Sequence, residues 1–242
     1  MGALTELSEL AEQLHGDAVE RGDQYSVTNL QAYVIPILLT YRDDPERALK
    51  ERKDAIEAWS KEGFYAQHLF GMVSYCETQL YLGAPQMALD FMKQQWPQYK
   101  KALYHRIQYP HNVLLSLRGR ASLMAWKKDG DPRHLKRILK VCQELDHSDT
   151  VYGKAFSHSI RAGLEIALGN EVESDDLLRS AVALYDQANM ALHVAATRQV
   201  LANLDNTQDS NQLWEDAAKY WDRESIPNPG KLGNSLIPLP NS

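Results

Sequence analysis

A chain of 242 residues that is 44% hydrophobic and 24% charged has a globular composition, sized for one large domain or two small ones, which excludes wholesale disorder. No run of about 18 uncharged apolar residues could span a bilayer, and the opening residues Met1-Gly2-Ala3-Leu4-Thr5-Glu6-Leu7 lack the basic and apolar regions of a secretory signal. A net charge of −6 with a pI near 5.8 argues against nucleic acid as a partner, so the expectation is a cytoplasmic protein.

From Leu4 to about Tyr220 the apolar residues recur with helical spacing, and the alternation of β-branched and polar residues that marks strands is missing. The spacing predicts eleven helices, near 3–20, 24–41, 45–61, 65–82, 85–106, 111–128, 132–147, 151–168, 172–189, 191–204 and 209–224. Pro36 and Pro97 fall inside two of them. Each removes a backbone donor and crowds the carbonyl four residues back, so kinks are expected there. Cys76 and Cys142 sit within helical patterns and read as buried thiols in a reducing compartment.

The breaks between helices recur with a rhythm. Asp43-Asp44-Pro45 resembles Gly83-Ala84-Pro85, Gly130-Asp131-Pro132 and Gly169-Asn170-Glu171. In these breaks Gly suits the left-handed exit, Asp suits the cap, and Pro, present in three of the four, suits the first helical turn. A repeat of about 40 residues made of two helices is an α-solenoid. Gly83 followed by Ala88 has the register of a tetratricopeptide turn, although Leu135 and Ser174 take the equivalent small-residue site elsewhere. The expected fold is therefore all-α: a tetratricopeptide-like α-solenoid of about five antiparallel helix pairs with an N-terminal capping helix. Residues 1–224 would form the repeat domain and 225–242 a tail.

An ordered series of segments carries a closer resemblance. It runs from Trp59-Ser60-Lys61-Glu62-Gly63-Phe64-Tyr65-Ala66-Gln67-His68 through Gln79-Leu80-Tyr81-Leu82-Gly83, Gln95-Trp96-Pro97, Arg106-Ile107-Gln108 and Leu117-Arg118-Gly119-Arg120-Ala121. It ends with Asn189-Met190-Ala191-Leu192-His193-Val194-Ala195-Ala196-Thr197-Arg198 and with Trp221 followed by Ile226-Pro227-Asn228-Pro229. This series resembles the C-terminal helical-repeat region of large bacterial serine/threonine protein kinases that also carry an ATPase-type sensor domain. The resemblance implies a tetratricopeptide-like regulatory arm whose parent's chemistry lies upstream. The chain itself has no Gly-x-Gly-x-x-Gly, His-Arg-Asp, Asp-Phe-Gly or phosphate-cradling loop, so no catalytic role and no cofactor are expected.

In tetratricopeptide-like arrays the first helix of each pair lines the groove. That register places Glu77, Arg120 and Lys127 toward a ligand, with Tyr81 nearby. Eight basic residues between Arg118 and Lys140, against Asp129 and Asp131, give that stretch a net +6 and leave −12 for the rest. Arg133, Lys136, Arg137 and Lys140 follow i, i+3, i+4, i+7 and form one stripe, with Arg118 and Arg120 on the preceding helix. The stripe reads either as a solvated face or as a surface for an acidic protein partner. Gln67 and His68 open a helix and either touch a ligand or satisfy backbone groups of the preceding turn. Trp59, Trp96, Trp126, Trp214 and Trp221 read as inter-repeat packing. The histidines lack zinc-ligand spacing with cysteine, so no metal site is expected.

The tail, with four prolines and two glycines in residues 225–242, is expected to be extended. Yet Ile226, Leu232, Leu236, Ile237 and Leu239 are too many apolar residues for an inert linker, so part of it should pack back on the last helices. The functional expectation is a non-catalytic protein- or peptide-binding or regulatory scaffold, which the resemblance implies is the C-terminal part of a bacterial signalling kinase. Its partner could include another domain of the same polypeptide, on which it would act as an autoinhibitory or sensor arm. A small-molecule or enzymatic pocket in the superhelix is the reading from a different class.

Overall fold

Among the described residues, seven connections between helices use one backbone device: a residue with positive φ, then one residue at the cap position, then the next helix. The left-handed residues are Gly22, Asp43, Gly83, Gly130, Asp149, Gly169 and Asn189, with φ between 51° and 80°. Asp23, Asp44, Asp131 and Thr150 follow four of them, and each side chain accepts a hydrogen bond from a backbone N–H in the first turn of the new helix. Pro45, Pro85 and Pro132 then occupy first-turn positions, where the missing donor costs nothing. The result is a chain of tight helical hairpins, as the recurring breaks predict.

The computed structural model describes residues 2–204 and 208–238. Among the described residues there are helices and turns but no strand. Adjacent helices pack as pairs, and the fold is an all-α solenoid. By internal contacts the chain divides into two compact units, Ala3–His111 and a second made of Met1–Gly2 with Asn112–Ser242. No helix among the described residues is long and apolar enough to cross a membrane.

The first unit holds α1 (Leu4–Glu20), α2 (Gln24–Asn29), α3 (Ile35–Tyr41), α4 (Pro45–Ala58), α5 (Ala66–Tyr81) and α6 (Pro85–Lys101). Between α2 and α3 the helix widens into a π turn, Leu30–Val34. The cause is Pro36, which has no N–H to offer the carbonyl of Ala32. That carbonyl instead accepts a 2.6 Å hydrogen bond from the buried hydroxyl of Ser74 on α5. α5 also places Thr78 2.7 Å from Thr40, and its Tyr81 hydroxyl donates to Asp43 at 2.7 Å. Arg52 of α4 lies over the rings of Tyr75 and Phe91 and donates to the carbonyl of Gly71. α6 runs through Pro97 and ends at Lys101, five residues before the predicted 106. Leu103 takes a left-handed φ of 62° there and a short 3₁₀ turn follows.

The unit division falls within α7 (Gln108–Asp129). The second unit continues with α8 (Pro132–Asp146), α9 (Val151–Leu168), α10 (Glu171–Gln187), α11 (Ala191–Leu204) and α12 (Gln208–Arg223). Leu115, Leu123, Ile138, Leu145, Phe156, Ile160 and Tyr185 form its core. Gly119 leaves room for the side chain of Ile160 from α9, whose Cδ1 would lie 2.6 Å from a Cβ there. Cys76 and Cys142 are buried free thiols, and burial raises the Cys142 thiol to about 11. Trp221 is buried and Trp126 packs against the core, whereas Trp214 is 42% exposed.

The expectation of an extended tail is corrected in part. Residues Pro229–Leu236 form a further helix, α13. Asn228 caps it by accepting from the Lys231 N–H, and Pro229 occupies its first turn. The prolines bracket this helix and do not interrupt it. The packing of the tail agrees with expectation: Ile226, Leu232, Leu236 and Ile237 are all buried. Leu239 lies outside the described residues.

Candidate protein-binding site

In the second unit α7, α9 and α11, the first helices of their pairs, lie side by side. Gly119 and Leu123 of α7 meet Ile160 and Gly163 of α9, and Phe156 of α9 meets His193 of α11 with ring centroids 5.7 Å apart. Residues 226–238 lie across all three. α13 packs on α11, with Gln199 against Gly233. On α7, Arg120 donates through Nη1 to the carbonyl of Ser235 at 2.9 Å. Beyond α13, a Cβ at Gly163 of α9 would lie 3.0 Å from the carbonyl oxygen of Pro238 and 2.6 Å from Leu123. Only a glycine lets chain and helix meet this closely.

The bond from Arg120 is matched to its target. The carbonyls of a helix's last turn have no partner within the helix and carry its negative dipole end. A guanidinium placed there satisfies both needs, and Arg120 is only 4% exposed. The expectation of Arg120 as an open groove residue is therefore corrected: the tail covers it. Tyr81 is corrected too, since its ring is buried and its hydroxyl is committed to Asp43. Glu77, on the same helix as Tyr81, is half-buried.

Lys127 lies seven residues after Arg120, so it points to the same side of α7. It is half-buried, and loss of hydration lowers its pKa to about 8. Burial and Arg120 likewise push His193 below the usual histidine range, and its ring packs against Phe156 and Tyr185.

Two of the stripe's four cations meet acids and a third turns inward. Arg133 forks onto Asp131, Lys140 lies 3.8 Å from Glu144, and Arg137 turns inward to His134 and Ser122. Lys136 is exposed, and Arg118 is half-buried near Arg137 and Glu144. Gln67 is buried, while His68 accepts a hydrogen bond from the Tyr65 N–H, which is the backbone-satisfying role.

Asp129, Asp131 and His134 bring potential ligand atoms within 4.8 Å of one another. Arg133 and Arg137 engage two of these three, and His134 lies 3.3 Å from Asp129. The cluster caps the start of α8, a role that accounts for its contacts. A separate cleft of about 210 Å³ opens between α11 and α12, where Arg198, Lys219 and Asp216 converge beside Tyr220 and Arg223. Sequence reasoning missed this cleft because its charges lie on two helices.

Compared with protein-family models, with characterised proteins and with solved structures, the chain matches none.

Proposed function

We propose that this chain is a non-catalytic protein-binding module that works through the face formed by α7, α9 and α11. One observation carries the reading: that face holds residues 226–238 by apolar burial and by a side-chain bond to backbone, the means by which a groove recognises a short helix. The ordered resemblance to kinase-associated repeat regions supports the same role, with the chain as a tetratricopeptide-like regulatory arm acting on a protein partner or on a neighbouring domain of its own polypeptide.

The test is to capture partners with the full chain from extracts of its source, then to measure the purified pair. The reading expects micromolar or tighter binding and slowed amide exchange along α7, α9 and α11 in the complex. A partner that protects only other helices contradicts it. The second reading, a small-molecule site, is favoured by the cations around Asp216 in the cleft between α11 and α12. A thermal-shift screen with anionic metabolites, repeated on Lys219→Gln, tests it.

A further inference from the structure

The repeat provides its own control for α7. Counted back from each left-handed turn, the positions held by Arg120 and Lys127 are held in α5 by Val73 and Leu80, and in α9 by Ser159 and Ile166. All four of those residues are uncharged. Packing of this repeat does not require a cation at either position, and burying a cation is costly, so two on one face of α7 need another reason. Arg120 has one in the carbonyl of Ser235. For Lys127, no carboxylate of the described residues is an ion-pair partner, and loss of hydration dominates its environment. The tail cannot supply a carboxylate side chain, because residues 225–242 contain neither Asp nor Glu.

The tail's path shows where a carboxylate would sit. Ser235 is opposite Arg120, and Pro238 is beside Leu123 where it meets Gly163. The chain thus advances along α7 toward Lys127. From Leu123 to Lys127 is four residues, about 6 Å of helix, and two extended residues cover that distance at about 3.3 Å each. A ligand following the same path reaches Lys127 two or three residues beyond the position of Pro238.

We propose that the α7–α9–α11 face receives a short apolar helix of another protein followed within a few residues by Asp or Glu, with Lys127 as the specificity-determining residue, and that α13 occupies the face until displaced. This rests on the protein-binding reading above and adds the chemistry of the partner. Arg120 would cap the incoming helix as it caps α13. Lys127 would give the partner a charge-assisted contact that the tail lacks.

The experiment uses the full chain and two labelled peptides: residues 225–242 as they stand, and the same peptide with Pro240→Asp and Asn241→Asp. Fluorescence anisotropy is expected to give at least tenfold tighter binding of the acidic peptide. Lys127→Gln should shrink that preference to less than twofold, and Lys127→Arg, which keeps the charge, should retain it. Bound peptide should speed amide exchange at Leu232–Ile237 of the chain as α13 is displaced. Equal affinity for the two peptides, or a preference that survives in Lys127→Gln, overturns the carboxylate recognition. If neither peptide binds or alters exchange at α13, the tail is a fixed part of the fold and the proposal fails. The protein-binding reading then stands or falls on the separate capture experiment.

Discussion

In the first unit, α5 buries Val73 and Leu80, and three of its polar side chains bond to other parts of that unit. Ser74 serves the Ala32 carbonyl, Thr78 meets Thr40, and Tyr81 holds Asp43. In the second unit, α7 puts Arg120 and Lys127 at the positions of Val73 and Leu80. Arg120 is served by a segment 115 residues away in sequence. The same repeat therefore has a face closed by its own helices in one place and by an attached segment in the other. A face closed by one short helix on a linker is the one that can be exchanged.

The largest effect expected of a single substitution is at the attached segment. Leu232 is fully buried, so Leu232→Ala should cost about 2–4 kcal/mol if the tail contributes to the folded state at its full burial. Denaturant unfolding measures this, and a loss below about 0.5 kcal/mol would mean the tail adds little to the stability of the second unit. A closed face is tested by Ser74→Ala, which strands the Ala32 carbonyl and should cost about 1–3 kcal/mol. Adding Pro36→Ala should recover much of that loss, because residue 36 then has an N–H to offer Ala32. An additive double mutant would show that the π turn has some other cause.

Gly163→Ala should cost about 1–3 kcal/mol, because the new methyl group meets Leu123 and the carbonyl of Pro238. It should also speed amide exchange in α13. A cost without faster exchange would place the strain at Leu123 alone. The smallest effect is one of pH. His193 has a lowered pKa in the folded chain, so the unfolded chain binds its proton more readily. Stability of the second unit is then full above about pH 6.5 and falls as the pH drops below that value. His193→Phe should flatten that decline, as thermal melts between pH 7 and pH 4 would record.

Local signals made most of the fold legible. Gly83, Gly130 and Gly169 announced left-handed turns, and Asp44-Pro45 and Asp131-Pro132 announced caps, so most helix limits lie within a few residues of expectation. The same signal was present at Asn228-Pro229, but the count of prolines around it hid an eight-residue helix. Leu103 ends α6 in a left-handed conformation without the glycine that would have signalled it. The site was less legible, because its contacts are distant in sequence. Nothing near Arg120 tells that Ser235 will cover it, and nothing near Pro36 tells that Ser74 will serve the freed carbonyl. Charge spacing found the stripe from Arg133 to Lys140 and the nearby Asp131, but not that Arg137 turns inward to His134 and Ser122.

Native-state hydrogen exchange on the full chain tests the central claim most directly, by following Leu232–Ile237 of α13 beside Leu69–Leu80 of α5 and Ile160–Leu164 of α9 at rising denaturant. An exchangeable α13 opens on its own, so its amides should exchange at least tenfold faster than those of α5 and α9, with little dependence on denaturant at low concentration. Exchange in α13 that is as slow as in α9 and rises with denaturant at the same slope would make it an integral part of the second unit, and would contradict the account.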